Sequence, residues 1–225
     1  MTTMIPKKQI ARALRFAKPI ITAHFNDSEV QATLTTMEAN YQTLAPEITQ
    51  FKSSFNQMTL KIAVDVLAFY RALLTVLPKS DALELIQPFV NNWMDGQFDR
   101  WIARKVYANR TLHRLYRRWW FADVNRADEP DGQKFEFIPP SADLFYGVNV
   151  VRCGMVKFLT RMGAPELTPF ICRGDIHIQK YLPDGIEFQR TQVIAEGGEY
   201  CDFRYYDRAK TREPQKADRH AVPTK

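Results

Sequence analysis

The sequence predicts an α+β fold: an N-terminal helical half, then a mostly antiparallel four-stranded sheet with two inserted helices, in the order ββααββ. Apolar residues recur with the period of a helix up to about residue 122, and with the period of a strand after about residue 134. The turn-rich stretch ADVNRADEPDGQK separates the two patterns. Gly197 and Gly198 then lie between two strand-like runs and predict a hairpin.

Periodicity and capping residues predict the helices of the first half. The first helix covers residues 6–23, and the second starts at Ser28, with Gln31 as its capping-box partner, and ends before Pro46. The third runs from about Phe55 to Leu77, the fourth begins at Ser80 or Asp81, and the fifth runs from Phe98 to Trp120. Pro88 is expected to kink or interrupt the fourth. In the last helix an apolar side is expected to contain Trp101, Ala108, Leu112, Leu115 and Trp119.

The second half contains four strands and two helices. The strands are predicted at residues 135–138, 144–151, 186–194 and 200–206, and the helices at about 153–161 and 165–181. We expect residues 1–225 to form a single domain, with a helical part at 1–122, an α+β part at 134–208 and a disordered tail at 209–225.

Composition excludes several classes of protein. Hydrophobic residues make up 45% of the 225 residues and charged residues 25%, as in a globular protein, and the net charge is +6. No apolar run approaches the roughly 20 residues needed to span a bilayer, so no membrane partner is predicted. Three scattered cysteines favour the reducing cytoplasm. The acid-free N-terminus leaves an organelle transit peptide as an alternative.

The hairpin assigns the polar residues of the last two strands to two faces. Symmetric closure on the two glycines pairs Ile194 with Cys201 and Arg190 with Tyr205. The predicted core face then holds Ile186, Phe188, Arg190, Gln192, Ile194, Cys201, Phe203 and Tyr205. Asp202 and Arg204 fall on the opposite face, which has the composition of a solvated surface.

Arg190 and Gln192 are predicted to bind a small molecule, because they project among apolar side chains where an unpaired guanidinium is costly. Either a protein carboxylate or an anionic ligand must pair with Arg190, and the sequence leaves both open. The nearest candidate carboxylate is Asp175, which borders the apolar stripe of its helix together with Cys172.

The cysteines admit a structural and a chemical interpretation. A free cysteine usually behaves as a small buried hydrophobe, whereas a reactive thiol needs a base, a cation or a helix N-terminus beside it. Cys172 and Cys201 are the candidate nucleophiles, and Cys153 and Asp202 are secondary candidates. Cysteine spacings of 19 and 29 residues match no usual zinc site, and no phosphate loop is present, so we predict neither a metal nor a cofactor.

The stretch RWIARKVYANRTLHRLYRRWW, residues 100–120, combines seven Arg and Lys residues with aromatic side chains. Such a mixture can bind nucleic acid, although no nucleic-acid motif accompanies it and a solvated face is the simpler interpretation. A groove for an anionic substrate and a homo-oligomer contact through Trp119 and Trp120 are further alternatives.

Three segments together resemble the L-2-amino-thiazoline-4-carboxylic acid hydrolase-like family. They are Val148 to Cys153 with Lys157, the run LTPFICRGD ending at Asp175, and EFQRTQVIAEGGEYCDFRY. The resemblance covers roughly residues 140 to 206, and all three cysteines lie within it.

The resemblance implies hydrolytic opening of a cyclic 2-amino-thiazoline carboxylate to a carbamoyl-cysteine. Arg190 suits the substrate carboxylate, Asp175 suits the amidine or an attacking water, and Cys172 or Cys201 could attack as a thiolate. A non-catalytic binding or sensor module that uses the same cavity is the alternative function.

Overall fold

The computed structural model describes residues 5–210 and confirms the α+β fold. Nine helices and four strands follow one another in this range. The helices are α1 (Lys7–Thr22), α2 (Asp27–Leu44), α3 (Ser54–Leu73), α4 (Lys79–Glu84), α5 (Ile86–Asp95), α6 (Trp101–Ala108), α7 (Arg110–Ala127), α8 (Gly154–Arg161) and α9 (Thr168–His177). The strands are β1 (Lys134–Ile138), β2 (Leu144–Arg152), β3 (Ile186–Gln189) and β4 (Cys201–Asp207). Apart from residues 209 and 210, the predicted tail lies outside the described residues.

The predicted order ββααββ is confirmed, and the sheet is antiparallel at each of its three strand pairings. In space the strands are ordered β1-β2-β4-β3. This order places β2 and β4 at the centre of the sheet. Their inward side chains are therefore flanked on both sides by those of a neighbouring strand.

The predicted capping box of α2 is wrong by two residues. Asn26 Oδ1 accepts a hydrogen bond from the backbone N–H of Glu29 at 3.1 Å, and the Glu29 carboxylate accepts one from the Asn26 N–H. Asn is as good an N-cap as Ser, and Glu29 lies three residues after it. Ser28 therefore lies within the first turn of the helix.

The predicted helix from Phe98 to Trp120 is two helices. Asn109 ends α6 in an extended conformation and caps α7 by accepting a hydrogen bond from the N–H of Leu112 at 3.0 Å. The second helix then continues to Ala127, so the predicted linker begins about five residues too early.

The break at Asn109 also reverses the expected orientation of α7. Four residues of the predicted apolar side are exposed to solvent: Trp101, Leu112, Leu115 and Trp119. The helix instead faces the sheet with His113, Phe121 and Val124, all of which are buried.

The register of the hairpin differs from the predicted one by two residues. Tyr205 pairs with Phe188 rather than with Arg190, because the chain leaves the ladder after Gln189. A short 3-10 turn, Ile194–Glu196, and Gly197 with a φ of 90° complete the connection. A shift of two keeps the parity, so Phe188 and Tyr205 still face the core.

The chain forms two hydrophobic clusters, and the division between them does not coincide with the change from helical to strand periodicity in the sequence. The first is built from α1 to α5 together with α8 and α9. The second lies between the sheet and helices α6 and α7. The two helices inserted into the sheet thus return to the helical cluster, and a cavity lies at the junction of the two clusters.

Candidate functional site

A cavity of about 970 Å³ lies at the junction of the two clusters. Its wall includes side chains from α3, α5, α6, α7, α8, α9 and three of the strands. A volume of this size falls within the range of small-molecule sites. The polar, charged and cysteine residues on the wall are Thr59, Gln97, Asp99, Arg100, Tyr107, Tyr116, Arg117, Gln133, Cys153, Cys172, Asp175 and Cys201.

Helix α9 brings Cys172 and Asp175 to the cavity because it packs closely on α5. Gly174 makes this approach possible, since a Cβ atom there would lie 2.6 Å from Cε of Met94. The same helix directs His177 elsewhere, to a 3.0 Å contact with Asp95. A Cys172–His177 pair is therefore not formed.

The carboxylate of Asp175 lies beside the guanidinium of Arg190 in a largely buried position. Its side chain keeps 35% exposure, and because the residue lines the cavity, that exposed part faces the cavity. Burial raises its pKa to about 6, although Arg190 and Arg117 act in the opposite direction. Asp175 can therefore exchange a proton near neutral pH, as a general acid or base must.

Arg190 is paired within the protein and does not line the cavity. Its Nη1 donates a hydrogen bond to the backbone carbonyl of Cys172 at 2.8 Å and lies 3.6 Å from Oδ2 of Asp175. Its side chain is only 11% exposed. Of the two interpretations left open by the sequence, the protein carboxylate is the one that the structure contains.

Gln192 and Asp202 also lie outside the cavity wall. Asp202 is buried, contrary to the solvated face expected for it, and its carboxylate accepts hydrogen bonds from the N–H groups of Thr191 and Gln192, each at 2.8 Å. The Thr191 hydroxyl donates a further bond to it at 2.6 Å. These bonds fix the chain where it leaves β3, so Asp202 has a structural task.

All three cysteines are free, buried and part of the cavity wall. Cys153 is the N-cap residue of α8, and the backbone N–H groups of Val156 and Met155 stabilise its sulfur, but burial dominates and raises its pKa. Burial likewise raises the pKa of Cys172 well above the usual thiol value and that of Cys201 to about 11. The resting thiols are therefore protonated at neutral pH.

Three further wall residues were missed by the sequence reasoning. Tyr107, Arg117 and Gln133 each carry a buried polar atom without a hydrogen-bond partner among residues 5–210: the phenol oxygen, Nε and Oε1, respectively. A pattern in the sequence does indicate Arg117. If α7 begins at Arg110, Arg117 lies at helical spacing from His113, Phe121 and Val124 and therefore on the same face of the helix. No comparable pattern marks Gln133.

A buried aromatic network supports Arg117 from the side of the sheet. Its Nη2 donates a hydrogen bond to the Tyr205 hydroxyl at 3.1 Å, and Tyr205 stacks on Tyr146 with ring centroids 4.4 Å apart. His113 accepts from the Tyr146 hydroxyl at Nε2 and donates from Nδ1 to the carbonyl of Tyr107. Burial, and then the charge of Arg117, lowers the pKa of His113 to about 3, so the imidazole is neutral.

Part of the basic charge of residues 100–120 is used inside the protein. Arg117 lies at the cavity, Arg110 pairs with Asp207, and the guanidinium of Arg104 donates to the carbonyl of Phe98 at 2.7 Å. Arg114 and Arg118 are exposed. The segment thus supplies the cavity wall with two cations, Arg100 and Arg117.

Within the described residues, no His, Cys, Asp and Glu side chains cluster as a metal site would require. None of the helices in residues 5–210 is long and apolar enough to cross a membrane.

Comparison with protein families gives a match to the model of the L-2-amino-thiazoline-4-carboxylic acid hydrolase family over residues 56–205. No curated protein sequence matches the chain. The family match starts well before the segment in which the sequence alone shows the resemblance, and it includes helices α5 to α7, which form part of the cavity wall. It also includes Asp175, Arg117 and all three cysteines. Because the match spans two thirds of the chain, the protein belongs to the L-2-amino-thiazoline-4-carboxylic acid hydrolase family.

Proposed function

We propose that the protein is a hydrolase that opens a small cyclic amidine or thiazoline carboxylate to a carbamoyl-cysteine type of product. One observation carries the proposal: a carboxylate with a pKa of about 6 shares a cavity wall with the guanidinium of Arg117 and with buried polar atoms of Tyr107 and Gln133 that have no hydrogen-bond partner within residues 5–210. Titratable groups with shifted pKa values in a cavity are typical of catalytic sites. The family name supports the reaction class.

In the proposed reaction Asp175 acts first as a general base. It takes one proton from water while the water oxygen bonds to the amidine carbon of the ring, and the second proton of that water passes to the ring nitrogen as the carbonyl forms. The carbon–sulfur bond of the tetrahedral intermediate then breaks, and the sulfur takes the proton held by Asp175. The product is a carbamoyl-cysteine with a free thiol.

The remaining polar wall residues would orient the ring. The substrate carboxylate suits Arg117, whose Nε has no partner among the described residues, and the Tyr107 hydroxyl can donate to the same group. The Gln133 Oε1 can accept a hydrogen bond from the amino group of the amidine. Arg190 acts through Asp175, as a positioning residue.

A covalent mechanism through a cysteine is the second candidate mechanism. Cys172 and Cys201 lie on the cavity wall, as does Cys153 at the N-terminus of α8. Attack by any of them would require Asp175 to remove the thiol proton, because the pKa of each thiol is raised by burial. The three free thiols are in keeping with a reducing cytoplasm, where we place the reaction.

The test is an assay of carbamoyl-cysteine formation from 2-amino-thiazoline-4-carboxylate by mass spectrometry. Asp175→Asn is expected to reduce kcat by about 100-fold or more, the usual contribution of a general base. Asp184→Asn is the matched control, because Asp184 is exposed and does not line the cavity. Separate serine variants of the three cysteines distinguish the mechanisms, since attack by water tolerates all three.

Two results would contradict the proposal. Saturable binding of cyclic amidines without any turnover would identify a binding or sensor module instead of an enzyme. Turnover that survives Asp175→Asn but is lost on one cysteine substitution, with an acylated cysteine trapped in the wild type, would replace the water mechanism by the covalent one.

A further inference from the structure

The cavity is much larger than the ring that the proposed reaction requires. 2-Amino-thiazoline-4-carboxylate has about nine non-hydrogen atoms, which at roughly 30 Å³ each, the volume share of a liquid water, fill about 270 Å³. The cavity measures about 970 Å³. Well over half of it is therefore space for some other part of a ligand.

The additional space is bounded by apolar side chains. Five elements and the connection between α5 and α6 contribute aromatic residues to the wall: Phe55, Trp93, Phe98, Trp120, Phe135 and Phe203. Methionine and aliphatic side chains, among them Met58 and Val106, lie between them. Such a surface gives no hydrogen bonds to a polar substituent, whereas it stabilises an apolar one by about 25 cal/mol per Å² of buried area.

The cavity wall has a buried part and an exposed rim, and both contain polar and apolar residues. Tyr107, Gln133 and the three cysteines are buried residues. Trp101 and Ile102, at the start of α6, line the same cavity and are 70% and 58% exposed, so they mark its rim. A ligand whose reactive ring reaches Asp175 would therefore extend past apolar walls toward α6.

We propose that the substrate carries a large apolar substituent on the reactive ring, a chain or ring system of about ten carbons that fills the space between Asp175 and α6. The proposal rests on the proposed hydrolysis, and it names the substrate class: 2-amino-thiazoline carboxylates whose amino nitrogen carries an alkyl or aryl group. Water adds to the same ring carbon, the carbon–sulfur bond breaks, the sulfur takes one proton of the water and the ring nitrogen the other, and the product is a carbamoyl-cysteine with the alkyl or aryl group on its carbamoyl nitrogen.

A homologous series of 2-alkylamino-thiazoline-4-carboxylates tests the proposal in two ways. Turnover is followed as the alkylcarbamoyl-cysteine by mass spectrometry, and binding as a change in the fluorescence of Trp93 and Trp120, which line the cavity. Each buried methylene can improve kcat/KM by up to about fourfold, so we expect an increase of at least about tenfold from the methyl to the nonyl compound.

Ala103→Phe on α6 narrows the apolar part of the cavity and replaces none of the polar wall residues. It is expected to remove the gain for the nonyl compound and to leave the methyl compound unaffected. Ala108→Phe is the matched control, since Ala108 is exposed on the same helix and does not line the cavity. Circular dichroism confirms that the variants fold, and Ile102→Trp at the rim replaces Ala103→Phe should that variant unfold.

The outcomes separate this proposal from the proposed reaction. Turnover that does not depend on chain length would overturn the apolar substituent and leave the hydrolysis intact. Binding that tightens with chain length and is weakened by Ala103→Phe, without ring opening of any compound, would support the apolar ligand and overturn the hydrolysis. Absence of both effects would overturn both.

Discussion

At the scale of single residues, the proposed reaction depends on the carboxylate of Asp175. Its surroundings contain two arginines, three thiols and the cavity, and burial has the largest effect on its pKa. A carboxyl group that stays partly protonated near neutral pH is a liability for stability and an asset for proton transfer. That trade-off can be measured separately from activity.

Asp175→Asn is expected to raise the melting temperature above about pH 6, because Asn resembles the protonated acid that the folded protein prefers. The pKa of Asp175 in the folded protein, about 6, lies above its ordinary value. Its stabilising contribution is thus complete below the ordinary carboxyl pKa and is lost as the pH rises through about 6. Thermal unfolding of both proteins at about pH 4 and pH 8 checks this, and a variant less stable than wild type at the higher pH would contradict it.

The sequence indicated Asp175 as a residue bordering the core, and the structure places it at the cavity with Cys172 and Cys201. Helical angle was sufficient there, because α9 is short and lies where the pattern predicts. Strand parity indicated that Arg190 is buried and left open whether a ligand or a protein carboxylate pairs with it, and in the structure its guanidinium lies beside Asp175. A sequence shows that a buried charge needs a partner, and it does not show which partner the fold supplies.

At the scale of secondary-structure elements, α7 shows why a correct helix can be turned the wrong way. The apolar side was predicted by counting helical turns from Trp101 to Trp119, which assumes one continuous helix. Asn109 interrupts that helix and changes the angular phase of everything after it. Both sides of α7 contain aromatic residues, and packing on the sheet selects the side that also contains Arg117.

Arg117→Gln is expected to lower kcat/KM for a carboxylate substrate by about tenfold to 100-fold, the usual value of a charge-assisted hydrogen bond. The corresponding carboxamide should be affected much less, because it offers no charge to the guanidinium. Arg118→Gln is the control, since Arg118 is the exposed neighbour on the same helix. Equal losses for the two substrates would show that Arg117 has only a structural task.

Four helices of the first cluster meet at a second buried carboxylate, Asp65 in α3. It accepts hydrogen bonds from Gln9 Nε2, the Tyr41 hydroxyl and Trp93 Nε1 at 2.8, 3.0 and 2.9 Å, and burial raises its pKa to about 6. These bonds hold Trp93, a cavity residue, in place. The carboxylate therefore links the helical cluster to the wall of the site.

Asp65→Ala is expected to reduce the free energy of unfolding by about 3 to 5 kcal/mol, because it leaves three buried donors without an acceptor. Asp65→Asn, which keeps one acceptor oxygen, is expected to cost less. Denaturation with urea measures both values. A loss below about 1 kcal/mol for the alanine variant would show that the donors find other partners.

At the scale of the whole molecule, the boundary between helical and strand periodicity in the sequence is not the boundary between the two hydrophobic clusters in the structure. The change from helical to strand periodicity near residue 130 was read correctly, and the α+β class followed from it. Helices α8 and α9 nevertheless pack in the helical cluster, while α6 and α7 cover the sheet. Periodicity describes neighbours along the chain, and the exchange of these helices, which creates the cavity, depends on contacts between distant segments.

The pH dependence of ring opening tests the central claim most directly, because it asks which group removes the proton. With 2-amino-thiazoline-4-carboxylate or its alkyl analogues, kcat/KM should fall about tenfold per pH unit below about 6 and should level off above it, as the unprotonated Asp175 is the active form. Absence of product at every pH would contradict the account. So would a rate that continues to rise through the alkaline range toward the pKa of Cys201, about 11.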